Sequence, residues 1–381
     1  MEKVEKIYQW KKGREVGPWA IELNWTNKCN LSCETCWQRK YDEKGMDYSS
    51  EVSKGRFISF IKEADNLNVE SIEISGAGEP LIRKDLFHEA VKLIKKLGMN
   101  GSLITNGTLF DRKTIEMLVD IGWDDIIFSM DGPNAKINDF LRKGTNSFQR
   151  TTNTIKYFEK IKNFQDSEVP RLRIAPVISN KNFNKLPEFI EFASLCGVSE
   201  VLFQILVENT ERAKDFKLSE GESKEIRKYI PRTLDMAEEY GIDCNADILY
   251  DEDIIEKSSN KGKMLKSRGN QFAGDEFLTV PCYRPWYFIT VYPDGEVQPC
   301  PNIPRSEDDY EDVSKEELKE MTGENIKEKS LEEIWYGDYF SEYRKRMLNK
   351  NLFPWCEICC GNEIFDIDTI RKKLAKKMDE I

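Results

Sequence analysis

The chain has 381 residues, enough to bury one large hydrophobic core or two ordinary ones. Its formal net charge of -11 argues against nucleic-acid binding, which needs a concentrated basic surface. No apolar run approaches the roughly 20 residues of a membrane-spanning helix, and the charged first residues lack the apolar stretch of a secretion signal. We therefore expect a cytoplasmic protein that binds neither nucleic acid nor membrane.

The predicted elements alternate between strands and helices. A short apolar strand at 20–25 comes first, and helical and strand-like stretches then follow in turn. The later predicted strands are 69–75, 101–105, 125–129, 171–178 and 200–206, and the predicted helices include 52–67, 85–97 and 112–119. About six such units predict an α/β fold with a parallel sheet, a partial (β/α)6 TIM-like barrel.

The pattern changes after the sixth predicted strand. A charged helical stretch is followed by a segment rich in charged residues, Ser, Gly and Asn, which is typical of a linker or a flap. A basic run that begins at Arg371 is interpreted as the solvated face of a terminal helix. We predict a barrel domain at 1–240, a linker or flap at 241–275 and a small α+β domain with a terminal helix at 276–381.

Ten cysteines in a chain without a secretion signal indicate reduced thiols rather than a disulfide framework. Eight of them form two groups, and such groups are typical of metal or cluster ligands. The first group is Cys29, Cys33 and Cys36, and the second is Cys282, Cys300, Cys356, Cys359 and Cys360.

The first group forms a CxxxCxxC triplet directly after the first predicted strand. Three thiolates are one ligand short of a closed tetrahedral zinc site, and the one histidine, His88, lies far away in the sequence. Three cysteines suit a [4Fe-4S] cluster better, because they hold three irons and leave the fourth open to a ligand. A zinc site completed by a distant cysteine and a helix face lined by free cysteines are the alternatives.

Unusual residues follow the next three strands as well. In a parallel barrel the loops at the carboxyl ends of the strands build the active face, so we expect these residues to lie near the triplet. Gly76 and Gly78 allow a backbone to approach a ligand closely, and Glu79 can accept hydrogen bonds from an ammonium group. The candidate positions on the three loops are Gly76, Ala77, Gly78, Glu79, Asn106, Ser129 and Asp131.

At these motifs the chain resembles the radical S-adenosylmethionine (SAM) superfamily, whose signature is this triplet in the loop after the first strand. The resemblance implies that the open iron chelates SAM, and that an electron from the cluster cleaves it to a 5'-deoxyadenosyl radical. It also implies an external electron donor of the flavodoxin or ferredoxin type. The segment 76–80 resembles the family's GGEP motif, which holds the methionine amino group, and Asn106, Ser129 and Asp131 would lie near the cofactor, the last two near its ribose.

Two further cofactor contacts follow from the resemblance. The family's aromatic residue before the third cysteine is replaced here by Thr35, and Trp37 is the candidate for the adenine contact. Arg142 is placed to meet the cofactor carboxylate, which a guanidinium suits by its bidentate geometry. The alternative for Arg142 is an ordinary surface arginine.

The second cysteine group surrounds a predicted β-hairpin with a turn at 293–295, which would bring Cys282 and Cys300 together. With the CxxC of Cys356 and Cys359, this spacing also fits a zinc ribbon. The runs CYRPW, DGEVQPC and PWCEICC resemble the SPASM/twitch extension of radical SAM enzymes, which carries auxiliary [4Fe-4S] clusters. The resemblance implies one auxiliary cluster on these four cysteines, with Cys360 able to replace Cys359.

The chemistry that the resemblance implies is abstraction of a hydrogen atom from an unreactive carbon. Oxidation follows if an auxiliary cluster takes the electron of the substrate radical, and epimerisation follows if a cysteine returns a hydrogen atom. The candidate donors are Cys244 and Cys360.

Because only 28 residues precede Cys29, too few for a leader-binding domain, we predict a small polar substrate such as a sugar or an aminocyclitol. The alternatives are a peptide- or protein-modifying maturase with a separate leader-binding partner, and a non-enzymatic zinc or iron-sulfur protein. Candidate substrate contacts are Glu208, Asn209, Tyr283 and Trp286.

Overall fold

The structure, a computed structural model, describes residues 1–41, 45, 48–208, 210–250, 275–301, 303, 323–353, 356 and 361–379, without the side chains of 40, 41 and 361–366. The strands in these ranges are β1 (Ala20–Asn24), β2 (Ser71–Ser75), β3 (Asn100–Thr105), β4 (Asp125–Phe128), β5 (Arg171–Ile174), β6 (Val177–Ile178), β7 (Glu200–Val201), β8 (Gln204–Ile205), β9 (Asp243–Cys244), β10 (Phe288–Val291), β11 (Glu296–Gln298) and β12 (Glu324–Asn325).

The helices in the same ranges alternate with the strands through much of the chain. They are α1 (Lys3–Lys11), α2 (Lys54–Asn66), α3 (Lys84–Lys96), α4 (Arg112–Asp120), α5 (Ala135–Arg142), α6 (Ser147–Gln165), α7 (Leu186–Cys196), α8 (Glu211–Lys214), α9 (Glu220–Glu225), α10 (Ile230–Tyr240), α11 (Leu331–Trp335), α12 (Asp338–Leu348) and α13 (Gly361–Asp379). None of the helices described is long and apolar enough to cross a membrane.

The chain divides into two compact units. The first comprises Met1–Trp25, Ser50–Glu73 and Lys261–Ile381, and the second comprises Thr26–Ser49 and Ile74–Asn260. The first unit thus combines residues from both ends of the chain, whereas the predicted domains follow one another along the sequence. The predicted domain boundaries stay predictions.

The second unit contains a run of parallel strands in the order β3-β4-β5-β7-β9 and a separate parallel pair, β6 and β8. Helices connect successive strands, as parallel pairing requires. Aromatic side chains such as Trp123 and Phe128 are fully buried around these strands. The unit is therefore mixed α/β with a parallel sheet, as the alternating pattern predicts.

The predicted strand at 171–178 is interrupted, and its two halves, β5 and β6, pair in different sheets. Pro176 lies between them and has no N–H to give to a ladder. Its carbonyl instead accepts a hydrogen bond from the Gln204 N–H, at 2.9 Å. The break frees the backbone N–H of Val177 to donate to Oδ1 of Asp131, at 3.0 Å, so it shapes the candidate site.

Helix α5 has well-defined ends. Asn134 caps its start by accepting the Ile137 N–H, at 3.2 Å. Lys143 ends it in the left-handed conformation, with φ of 48°, and donates its N–H to the Asp139 carbonyl. Such a conformation is uncommon for a residue with a side chain. It fixes the directions in which Arg142 and Lys143 leave the helix end.

The first unit is built on β1, which pairs in parallel with β10, and on the antiparallel strands β10, β11 and β12. Thr290 pairs with Gln298, which confirms the predicted hairpin. Gly295 in its turn has φ of +92°, a conformation that glycine adopts without strain.

The core of the first unit corrects two interpretations. Tyr283 and Trp286, predicted as substrate contacts, are buried in its aromatic cluster. Arg371, predicted on a solvated face, is 1% exposed and donates to the carbonyls of Val280 and Pro281, at 2.6 Å each. Periodicity places Arg371 beside the apolar stripe of α13, where two backbone carbonyls accept its hydrogen bonds and Asp368 pairs with its charge at 3.4 Å.

Candidate functional site

The cysteine triplet lies in a loop of the second unit. Cys29 is exposed, Cys33 and Cys36 are partly exposed, and the Cys36 N–H donates to the Cys33 carbonyl at 3.3 Å. Burial raises the pKa of the Cys33 thiol to about 12, the Arg142 guanidinium opposes that rise, and the other two thiols add to it. The three thiols lie in one short loop, and ionisation of one raises the pKa of another.

This donor set fits an iron-sulfur cluster. Three thiolates from one loop would ligate one iron each and leave the fourth iron open. Cys29, Cys33 and Cys36 are thus the residues that would hold a [4Fe-4S] cluster.

The loop after β2 pairs with the cysteine loop. The Gly78 N–H donates to the Thr26 carbonyl at 2.8 Å, and the Glu79 N–H donates to the Lys28 carbonyl at 2.9 Å. A side chain on Gly78 would overlap the Lys28 carbonyl. The sequence predicts a glycine that admits a ligand, but the backbone that approaches Gly78 in the structure is that of the cysteine loop.

Glu79 is buried at the centre of this contact. Its carboxylate accepts hydrogen bonds from the Thr105 hydroxyl at 2.8 Å, the Asn106 N–H at 2.8 Å and the Leu81 N–H at 3.2 Å. Burial raises the pKa of Glu79 to about 6, although these hydrogen bonds lower it. The carboxylate is thus fixed in place, and its contact with an ammonium group stays a prediction.

Asn106 connects the loop after β3 to the cysteine loop. Its Nδ2 donates to Oδ1 of Asn30 at 3.0 Å and lies 4.0 Å from Sγ of Cys29. Its Oδ1 accepts the Thr108 N–H at 2.9 Å, which fixes the orientation of the amide. The structure therefore brings Asn106 to the triplet, as the sequence predicts.

The loop after β4 and the end of α5 reach the same place. Arg142 forms an ion pair with Asp131, with Nε 2.6 Å from Oδ2, and its positive charge lowers the pKa of the Cys33 thiol. The Ser129 N–H donates to the Thr105 carbonyl at 2.8 Å, and Ser129 is half-buried. Arg142 is thus not an ordinary surface arginine.

Two residues of the site are missed by the sequence reasoning. Glu34, inside the triplet, is buried and binds both Lys143, at 2.6 Å, and Arg212. Gln38 is buried and donates to the carbonyls of Asn27, at 2.9 Å, and Ala77. A charged residue between two cysteines is a signal for Glu34, whereas no pattern marks Gln38.

Trp37 directly follows Cys36, at the start of a 3-10 helix (Trp37–Tyr41), and is half-buried. Its adenine contact stays a prediction.

Cys244 lies in β9 opposite Val201 of β7, and burial raises the pKa of its thiol to about 11. Its role as a hydrogen donor also stays a prediction.

In the second cysteine group, three members pack against the aromatic cluster of the first unit. They are Cys282, Cys300 and Cys356. The Arg284 N–H donates to Sγ of Cys282 at 3.4 Å, an interaction that suits a thiolate ligand. The predicted ligand Cys359, its substitute Cys360 and the predicted substrate contact Asn209 lie outside the described residues. Glu208, the other such contact, is largely buried and pairs with Lys217 at 3.0 Å.

Two protein families match the chain. The radical SAM superfamily matches residues 23–193, and the SPASM iron-sulfur cluster-binding domain matches residues 282–360. The chain therefore belongs to the radical SAM superfamily of enzymes and carries a C-terminal SPASM domain. Its cofactors are SAM, the [4Fe-4S] cluster that binds SAM, and auxiliary iron-sulfur clusters in the SPASM domain.

Two curated relatives and one solved structure illustrate these similarities. The chain is 24% identical to a tungsten-containing aldehyde ferredoxin oxidoreductase cofactor-modifying protein of Pyrococcus furiosus, over 91% of this chain and 88% of the relative. It is 27% identical to the PqqA peptide cyclase of Rhodopseudomonas palustris, over 46% of this chain and 44% of that protein.

The solved structure is that of Streptococcus suis SuiB bound to the precursor peptide SuiA. It superposes with a TM-score of 0.62 at 16% identity, over 94% of this chain and 74% of SuiB. This likeness confirms the predicted fold class, a partial TIM-like barrel with a small SPASM-like domain.

Proposed function

We propose that this enzyme abstracts a hydrogen atom from a carbon of a peptide or a protein side chain. The observation that supports it is the cysteine triplet in one loop. Nδ2 of Asn106 lies 4.0 Å from Sγ of Cys29, and the charge of Arg142 lowers the pKa of Cys33. The likeness to the PqqA peptide cyclase supports a peptide as the substrate class.

The predicted sugar or aminocyclitol substrate is not supported. The relatives and structural neighbours include a peptide cyclase and an enzyme bound to its precursor peptide, which favour the alternative of a peptide-modifying maturase.

When bound, the cluster supplies the electron that cleaves SAM and so gives the radical that takes a hydrogen atom. The chain's own residues hold and orient the cofactors. We assign the SAM amino group to Glu79, its carboxylate to Arg142 and its adenine to Trp37, with Asn106, Ser129 and Asp131 beside the ribose. The backbone of Gly76, Ala77 and Gly78 completes this pocket.

We further propose that the product is oxidised, as in a cross-link. An auxiliary cluster on Cys282, Cys300, Cys356 and Cys359 or Cys360 would accept the electron of the substrate radical, and a flavodoxin or ferredoxin would supply electrons to the chain. Epimerisation is the other outcome, with Cys244 or Cys360 returning the hydrogen atom.

A second candidate function is the modification of an enzyme cofactor. The observation that favours it is the extent of the match to the Pyrococcus furiosus cofactor-modifying protein, which covers about nine-tenths of both chains. The match to the PqqA peptide cyclase, by contrast, covers less than half of this chain and less than half of the cyclase.

The test is hydrogen transfer from a labelled substrate. The reconstituted enzyme, SAM, a reductant and a deuterated candidate peptide are incubated without oxygen. We expect deuterium in 5'-deoxyadenosine and a peptide that has lost two hydrogen atoms. Cleavage of SAM with no deuterium transfer and an unchanged peptide would reject the peptide substrate. That outcome would favour the second candidate, modification of an enzyme cofactor.

A further inference from the structure

Three polar side chains form a closed ring of hydrogen bonds beside the cysteine triplet. The Thr108 hydroxyl donates to Oδ1 of Asn106 at 2.6 Å, and Nδ2 of Asn106 donates to Oδ1 of Asn30 at 3.0 Å. Nδ2 of Asn30 donates in turn to the Thr108 hydroxyl oxygen at 2.8 Å. Each side chain therefore donates to one member of the ring and accepts from the other, an arrangement in which hydrogen bonds strengthen one another.

The backbone fixes the direction of this ring. The Thr108 N–H, which can only donate, points to Oδ1 of Asn106 at 2.9 Å. The amide oxygen of Asn106 therefore faces Thr108, and its Nδ2 faces the cysteine loop. The reversed amide would turn its own N–H groups toward the Thr108 N–H and lose that hydrogen bond.

The ring uses one of the two N–H groups of the Asn106 amide. That group binds Asn30, and Nδ2 also lies 4.0 Å from Sγ of Cys29. Sulfur is a larger atom than oxygen, and a thiolate accepts a hydrogen bond more strongly than a thiol because it is charged. The second N–H is thus placed to donate to the Cys29 thiolate, the form in which a cysteine binds iron.

Helix α6 holds the backbone of the same loop. The Thr151 hydroxyl donates to the Asn106 carbonyl at 2.7 Å, and Nη2 of Arg150 donates to the Thr108 carbonyl at 2.6 Å. Asn106 and Thr108 are 7% and 5% exposed. With the backbone held in this way, the side chains of Asn30 and Thr108 decide where the amide of Asn106 points.

We propose that Asn30 and Thr108 are positioning residues, which direct the second N–H of Asn106 to the Cys29 thiolate and so raise the reduction potential of the SAM-binding cluster. Reduction adds negative charge to a cluster, and hydrogen bonds to its sulfurs stabilise that charge. Residues behind metal ligands commonly tune them in this way. The inference rests on the cluster held by the triplet and not on the proposed substrate, so the two can fail separately.

The experiment is a redox titration of the reconstituted protein without SAM, followed by electron paramagnetic resonance. The signal of interest is the one absent from Cys33→Ala. We expect a more negative midpoint potential in Asn30→Leu, Asn106→Leu and Thr108→Val, each of which keeps the approximate size of the side chain without its polar group. Thr108→Ser keeps the hydroxyl and should keep the wild-type potential.

The matched control is Thr154→Val. The Thr154 hydroxyl donates to the Gly107 carbonyl at 2.9 Å, in the same loop but outside the ring, and its loss should leave the potential unchanged. The double variant Asn106→Leu with Thr108→Val is a second check, because a residue that acts through Asn106 has no further effect once the amide is gone. We expect its potential to equal that of Asn106→Leu.

The variants of Thr108 decide the matter. Wild-type potentials in Thr108→Val and Asn106→Leu at full iron content, equal shifts in Thr108→Ser and Thr108→Val, or additive shifts in the double variant would overturn the proposal. If Asn106→Leu does not assemble the cluster, a lower potential in Thr108→Val than in Thr108→Ser supports it. Loss of the cluster from Thr108→Val would show that the hydroxyl holds the loop together rather than directing the amide, and contradicts the proposal.

Discussion

The two cysteine groups are held in different ways. The triplet of the second unit is surrounded by hydrogen bonds and charges from several loops, through Glu34, Asn106 and Arg142. Cys282 and Cys300 of the first unit pack instead against an aromatic cluster. Polar neighbours act on a cluster through charge and hydrogen bonds, whereas an apolar surround acts through burial and the exclusion of water. We call the polar surroundings of the triplet the tuning region, and the aromatic cluster with the helices packed on it the anchoring region.

The largest expected effect lies in the anchoring region. Arg344 is buried, donates to the carbonyls of Pro285 and Trp335 at 2.9 and 3.0 Å, and stacks on Trp10. Arg344→Met leaves both carbonyls without this donor, and we expect it to lower the free energy of unfolding by about 3 kcal/mol.

The matched control for this prediction is Arg346→Met, on the same helix. Arg346 pairs with Glu342 near the surface, at 3.3 Å, so its loss should cost about 1 kcal/mol or less. Urea denaturation without cofactors provides the measurement, for wild type and the three variants Arg344→Met, Arg346→Met and Glu342→Gln. Equal losses in the two arginine variants would contradict the role of Arg344 as an anchor.

In the tuning region, the pH dependence of stability reports on Glu79. Its pKa in the folded chain, about 6, is above the ordinary 4.5. Protonation therefore stabilises the fold, and this contribution is complete below pH 4.5 and lost as the pH rises through 6, about 2 kcal/mol in all.

Thermal unfolding at several pH values tests this prediction. We expect wild type to lose more stability between pH 4.5 and 7.5 than Glu79→Gln, which cannot titrate, by roughly that 2 kcal/mol. Parallel pH profiles of the two proteins would show that Glu79 is not the group responsible.

A smaller effect is expected at Glu34. Glu34→Gln leaves Lys143 and Arg212 without their shared buried carboxylate, but both are about half exposed and regain water, so we expect a loss of about 1 kcal/mol. Because Glu34 lies inside the triplet, losing its ion pairs should loosen the cysteine loop. A chelator should then remove iron from the triplet faster. The control Glu211→Gln changes an 89% exposed carboxylate and should release iron at the wild-type rate. Identical rates in all three proteins would exclude a holding role for Glu34.

The smallest expected effect is that of Cys244→Ala. If the product is oxidised, as proposed, no hydrogen atom returns to the substrate, and turnover should stay within about twofold of wild type. Loss of product with continued cleavage of SAM would instead identify Cys244 as a donor and favour epimerisation. Product mass and turnover measure both outcomes together.

Much of the fold follows from local pattern. The hairpin at β10 and β11 was predictable because alternating residues flank a Pro-Asp-Gly turn. The split at Pro176 was not, because proline is tolerated at strand ends and edges and its effect depends on the partner strand. Arg371 was misread because a charge beside an apolar stripe usually faces water, and its backbone acceptors come from residues 90 and 91 positions earlier.

The candidate site shows the same division. The triplet and Asn106 were predictable because each follows a strand of a parallel sheet, and such loops converge. The contact of Gly78 with Lys28 and the ion pair of Arg142 with Asp131 depend on how the loops meet, which spacing along the chain does not encode. The sequence therefore predicts which loops meet but not how they are held.

The most direct measurement compares the two cysteine groups for 5'-deoxyadenosine formation. Wild type, Cys33→Ala and Cys282→Ala are purified and reconstituted without oxygen, and each is then reduced in the presence of SAM. We predict that wild type and Cys282→Ala form 5'-deoxyadenosine and that Cys33→Ala forms none. Formation in Cys33→Ala at the wild-type rate, or zinc in place of iron with no product in any of the three, would contradict the radical SAM assignment of this site.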